Sequence, residues 1–244
     1  NIVHITSDED PFKQVEYQIK RQWADGYLFV SLHFESSKWE TLQKFNVPIS
    51  VIDDSNSFFD SVNVDNIEGS YMATNYFIKK GFRRIANLSA LPDSVPVKER
   101  LSGYKKALSE SGIDFDPALV KRGDDMSRDG FTELSGYQAM HKILKLEQLP
   151  QACVCASDIK AIGAMKAMKE AGISLPLIGY DNLTIAEYVG LSTVHQPIYK
   201  MGKMATERLI SRIDEAKTKS KTKIYKPELV IRSSSEVMID SKTV

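Results

Sequence analysis

The chain has 244 residues, 42% hydrophobic and 26% charged, an ordinary globular composition with room for one or two domains. Lys+Arg and Asp+Glu stand at 32 each, and a formal charge of +0 gives no bulk attraction to nucleic acid, so any DNA-binding part is expected outside this segment. No run approaches the ~20 apolar residues that span a bilayer, and no signal peptide is visible at Asn1, which excludes a membrane-spanning reading.

Taken in order, Asn1 to Thr6 reads as a strand and Pro11 to Trp23 as a helix. Asp25-Gly26 turns the chain into the apolar strand Tyr27–Leu32, followed by a short helix over Lys38–Phe45. Pro48–Asp53 is the next strand and ends in two carboxylates, Asp53 and Asp54; Val62–Val64 is another. Asp65-Asn66 caps a helix from Glu68 to Lys80 that closes at Gly81. Then come the strand Ile85–Ser89, a loop from Ala90 to Val97, the helix Lys98–Ser111, a Gly/Asp-rich loop over Gly123–Gly130, and the helix Thr132–Leu144.

Gln151–Ala156 and Leu177–Tyr180 are short apolar runs on either side of a stretch with helical period, Asp158–Ala171. Ile159, Ile162, Met165, Ala167 and Met168 are its apolar positions, and Lys160, Lys166, Lys169 and Glu170 its polar ones. Strand, crossover helix, strand is a parallel pair, and open parallel sheets bind ligands at the carboxyl ends of their strands. Ser157 and Asp158 follow one such end, Asp181 and Asn182 the other; a helix cap is the plainer role for Ser157 or Asp158. The two cysteines, Cys153 and Cys155, share a strand face and read as buried thiols in a reducing cytoplasm. After a short helical piece at Ile185–Tyr188 and a strand at Ser192–Val194, an amphipathic helix runs from Tyr199 to Ala216. Lys217–Lys223 reads as a solvated loop, and Pro227–Arg232 as a last, edge strand. Near-strict alternation of strands and helices makes this an α/β protein with parallel sheets.

Several segments together resemble the effector-binding core of the LacI/GalR family of bacterial transcription regulators. They are Val64-Asp65-Asn66, the stretch Lys80 to Ala86, Glu99 to Tyr104, Ser135-Gly136-Tyr137, Ala156-Ser157-Asp158 with Ile162-Gly163-Ala164, Ile178 to Asn182, Leu191 to Pro197, and Pro227 to Arg232. The resemblance runs from about Asn1 to Ser235. It implies a periplasmic-binding-protein-like, type I fold: two doubly wound parallel-sheet lobes with a ligand cleft between them. Residues 1–64 and 195–225 would form the first lobe, 65–194 and 226–235 the second, and 236–244 a tail. Family members carry one more strand and helix and a helix-turn-helix headpiece upstream, so the chain is expected to be part of a longer polypeptide.

The resemblance carries site residues over one at a time. Asp53 matches a first-lobe carboxylate that hydrogen-bonds sugar hydroxyls, and Arg100 an arginine that reaches the ligand from a helix start. Phe131 matches an aromatic that stacks on the ligand, Ser157 stands where members often have Asn, Asp158 follows as a further contact or cap, and Asp181 matches the second-lobe carboxylate. Each has a plainer reading: Asp53 as a turn residue with Asp54 in its place, Arg100 as an ion-pair partner, Phe131 as core, Asp181 as a loop cap. Carboxylate acceptors, a forked donor and an aromatic face suit a polyhydroxylated molecule. The implied function is effector sensing by a homodimeric cytoplasmic repressor, in which ligand rotates the lobes and changes the fit of two headpieces to operator DNA. No metal or cofactor is implied. The competing reading is a sugar-binding protein of a transport system. A doubly wound enzyme is disfavoured, because no Gly-x-Gly-x-x-Gly, phosphate loop or nucleophile–His pairing is present.

Overall fold

The computed structural model describes residues 10–54, 56–91, 94–125, 127–214 and 219–236. The strand expected over Asn1–Thr6 lies outside them. The chain divides into two compact units, Asn1–Val64 with Pro197–Tyr225, and Asp65–Gln196 with Lys226–Val244.

In the first unit α1 (Pro11–Lys20) starts with Pro11, which lacks the amide that would go unbonded there, and Asp10 caps the Phe12 amide. Val15 and Ile19, one turn apart, enter the core. The strands are β1 (Tyr27–Val30), β2 (Ile49–Ile52), β3 (Asp60–Val64) and β9 (Thr222–Tyr225), in the order β1-β2-β3-β9 and all parallel. Short helix α2 (Ser36–Gln43) buries Trp39 and Leu42 in an aromatic cluster with Phe29 and Phe59. Helix α8 (Ile198–Asp214) lays Met201 and Ala205 on Ile52, Val62 and Val64.

Of the segment read as solvated loop, Lys217 lies outside the described residues and Lys219–Lys221 is exposed coil, while Thr222 and Lys223 open strand β9. Its pairing with β3 is prepared by Asp60, which takes a forked pair from Arg212 at 2.8 and 2.9 Å and the Lys221 amide at 2.7 Å. Those bonds hold the Asp60 carboxyl below its ordinary pKa against the opposing effect of burial.

The second unit carries the sheet β10-β8-β7-β6-β4-β5. These are β4 (Ile85–Leu88), β5 (Val120–Lys121), β6 (Ala152–Cys155), β7 (Leu177–Asp181), β8 (Ser192–His195) and β10 (Glu228–Val230). All neighbours are parallel except β10, an antiparallel edge on β8. Helices α3 (Asn66–Lys79) and α4 (Val95–Glu110) pack as one pair, α5 (Glu133–Leu144) and α6 (Asp158–Glu170) as another, and α7 (Thr184–Tyr188) is a single short turn. Both pairs approach closely through glycine: a Cβ on Gly103 would stand 2.1 Å from the Ile67 carbonyl, and one on Gly163 1.9 Å from that of Glu133.

Three further expectations change. Helix α4 begins at Val95, not Lys98, because Ser94 caps it and Pro96 is tolerated in a first turn. The unit boundary falls after Gln196: His195 pairs with Glu228 across β8 and β10, and Gln196 donates to Asp181 at 2.6 Å. Lys160, grouped with the polar positions of α6, is fully buried. Cys153 and Cys155 are buried free thiols on β6, and burial pushes both well above their ordinary pKa. Among the described residues no helix is long and apolar enough to cross a membrane.

Candidate functional site

In the second unit the polar residues converge where β6 and β7 end and where α4 and α6 begin. Arg100 sits in the second turn of α4 and is 7% exposed. Its guanidinium lies flat on the Tyr180 ring, 3.8 Å from the centroid. Its Nε donates to Asn66 Oδ1 at 2.8 Å and one terminal nitrogen to the Ala156 carbonyl at 2.5 Å. The same nitrogen is 3.9 Å from Asp181 Oδ1. Phe131, half-buried on Ala90, Val97 and Ala156, has its ring centre 6.0 Å from the guanidinium carbon. Arg100, Phe131 and Asp181 are thus brought together.

Asp181 ends β7 at φ 113°, an uncommon conformation for a residue with a side chain, and Asn182 follows at φ 59°. The turn is tied from three sides. Asn182 contacts His195 Nδ1 and accepts from Arg232, its amide donates to Thr193, and Gln196 holds the Asp181 carboxylate.

Two further expected site residues carry scaffold bonds. Ser157 is the N-cap of α6, its oxygen accepting from the Lys160 amide at 3.2 Å. Asp158 is fully buried: one oxygen accepts from the Thr193 hydroxyl at 2.6 Å, the other from the Leu183 amide at 2.8 Å. A Cβ on Gly179 would come within 2.3 Å of it, so the carboxylate is enclosed and acts on the Asp181 turn from behind. Burial raises its pKa to about 6, against the hydrogen bonds that favour the anion.

Asp53 and Asp54 belong to the first unit. Asp53 follows β2 at φ 65°; its Oδ2 accepts from Ser31 at 3.1 Å, and its buried Oδ1 has no hydrogen-bond partner among the described residues. Asp54 lies deeper, 3.5 Å from His33 Nδ1 and bonded to Asn56 at 3.1 Å. Its carboxylate is engaged, which leaves Asp53 as the acceptor on offer.

Residues the pattern did not announce complete the picture. Asn66 presents Oδ1 to Arg100 because its own amide is turned to Glu99. Tyr180 supplies the platform under Arg100, and burial keeps its phenol protonated. Ser70, Asn87 and Ser89 line a water-sized cavity beside Arg100 and Tyr180. Asn66 and Tyr180 lie in segments that carry the family resemblance, but neither stood out there as a site residue. Among the described residues no group of His, Cys, Asp and Glu is arranged to hold a metal ion.

The fold is that of a periplasmic binding protein-like domain, whose family model matches residues 74–235. The chain belongs to the LacI/GalR family of transcriptional regulators, and it is the effector-sensing part of such a regulator rather than a transport protein. It is 33% identical to the HTH-type transcriptional repressor PurR of Vibrio atlanticus, covering 93% of this chain and 69% of that protein. It is 30% identical to the HTH-type transcriptional regulator RegA of Clostridium saccharobutylicum, covering 96% and 72%. Among solved structures, a transcriptional regulator CelR–cellobiose complex is similar with a TM-score of 0.82 and 29% identity, covering 92% of this chain and 70% of that one. A LacI family regulator from Enterococcus faecium with bound ribose gives 0.80 and 26%, covering 91% and 84%.

Proposed function

We propose that the effector is a small polyhydroxylated molecule of the sugar class and that Arg100, Phe131 and Asp181 contact it, with Asp53 as the acceptor offered by the first unit. The observation that carries this reading is the Arg100 setting. A guanidinium fixed on Tyr180, beside a strand-end carboxylate and an aromatic face, presents a donor, an acceptor and an apolar surface to one ligand. The cellobiose and ribose bound to two similar regulators support the sugar class. Ser157 and Asp158 act behind the site, as cap and as turn anchor. In this reading the whole protein is a cytoplasmic homodimer without catalytic activity. Its operator contacts come from a helix-turn-helix unit of the kind that names its relatives, and the effector acts through its differential affinity for two conformers.

Thermal unfolding of the full-length protein against sugars, sugar phosphates and nucleosides tests it. A ligand at about a hundred times its dissociation constant adds about 2.7 kcal/mol and raises the midpoint. A sugar that shifts wild type but neither Asp181→Ala nor Arg100→Ala supports the site. A panel in which only nucleosides act removes the sugar assignment.

A further inference from the structure

Lys160 is a buried charge that the effector reading leaves unused. It lies in the first turn of α6, and its Nζ donates to the Gly130 carbonyl at 2.9 Å and to Ser135 Oγ at 2.7 Å. A fully buried lysine is rare unless its partners require it. The partner here is strained backbone: Arg128, Asp129 and Gly130 all have positive φ, at 48°, 55° and 78°, and side-chain-bearing residues adopt that region at a cost. The turn delivers Phe131, whose amide closes it onto the Arg128 carbonyl at 2.9 Å, while Leu91 donates to Asp129 at 3.0 Å. Asp125 braces the far side, accepting from Ser127 and Thr132.

We propose that Lys160 is a positioning residue for the effector: by holding the Gly130 carbonyl it fixes the left-handed turn that places Phe131 beside Arg100. This rests on the reading of Phe131 as a ligand contact. The titratable groups that face the amine are Asp125 from the loop and the Cys155 thiol from β6. Burial lowers the Lys160 pKa to about 8, with Asp125 working in the opposite sense, while Cys155 stays a neutral thiol. Charge-assisted bonds therefore hold the turn below that pH and weaker neutral ones above it.

Amide hydrogen exchange on the full-length protein without ligand decides the tether. In Lys160→Met the Leu91 and Phe131 amides should exchange about tenfold faster, while amides in the middle of α6 keep their protection. Unchanged protection at Leu91 and Phe131 overturns the proposal. Should that variant not fold, wild type alone suffices. Protection of the same two amides, corrected for intrinsic rate, should fall as pH rises from 7 to 9.5, and a flat profile overturns the tether. Titration with ribose and cellobiose as probes separates the inference from the reading beneath it. Phe131→Ala and Lys160→Met that each weaken a probe, with no further loss when combined, support the proposal. Loss in Phe131→Ala with none in Lys160→Met overturns the inference alone. A probe that binds Phe131→Ala as tightly as wild type removes the reading, and the proposal with it.

Discussion

Both units end a central strand in a carboxylate on left-handed backbone, and they treat it in opposite ways. After β7, Asp181 is enclosed in a network: Gln196 binds it, Arg100 stands near it, and Asp158, Thr193, His195 and Arg232 fix the turn around it. After β2, Asp53 has one hydroxyl contact, from Ser31, and a buried oxygen with no partner among the described residues. A carboxylate already supplied with donors is preorganised and adds little new bonding. One left short of donors gains most from a ligand hydroxyl. The second unit therefore offers a rigid template, and the first an unsatisfied acceptor.

The largest expected effect concerns Asp158, on which the rigid side is built. Its raised folded-state pKa means that its stability contribution is fully present below about 3.8 and is lost as pH rises through about 6. Replacement by Asn removes the titration. In urea unfolding, the stability of wild type minus that of Asp158→Asn should be larger at pH 4.5 than at pH 7.5, by at most about 3 kcal/mol. A pH-independent difference would mean that the carboxylate is not held in a dry site. Next is Gly69→Ala. The added Cβ would stand 2.3 Å from the Tyr180 hydroxyl, so the platform under Arg100 must move. A loss of about 1–3 kcal/mol is expected from the denaturation midpoint, together with weaker sugar binding. A variant with unchanged affinity would show that Arg100 does not depend on Tyr180. Smallest in stability is Asp53→Asn. Its Oδ1 has no described partner, so the midpoint should shift within about 0.5 kcal/mol. Calorimetry should nevertheless show at least a several-fold loss of sugar affinity. Equal affinity would leave the first unit without its proposed contact.

The fold was legible where burial was two-sided. β6 and the first four residues of β7 are buried throughout, and α6 between them carries a helical period, so their order and parallel sense follow from the residues alone. β9 was hidden because three of its four residues, Thr222, Lys223 and Ile224, are exposed; its strand character comes from pairing with β3 and from Asp60, far away in sequence, which binds Arg212 and the Lys221 amide. The burial of Lys160 was hidden for a related reason. Helical period places side chains on a face, but it does not say that the face meets a carbonyl from a strained loop. Arg100 and Asp181 were visible through family resemblance. Asn66, Tyr180 and Gln196 lie in the segments that carry that resemblance, but their roles in setting the geometry of those two were not visible, because each acts through a contact that only the folded chain creates.

The pairing of β3 with β9 has a consequence for synthesis. Ser61 meets Thr222 across 161 residues, so one edge of the first sheet stays open until the segment carrying β9 has left the ribosome. At roughly 5–20 residues per second that is a wait of roughly 8–30 s, during which an unpaired parallel edge is exposed to other chains. The stretch that builds most of the second sheet, from Ile85 to His195, is made within that interval. The first sheet thus closes only after five of the six strands of the second have been made.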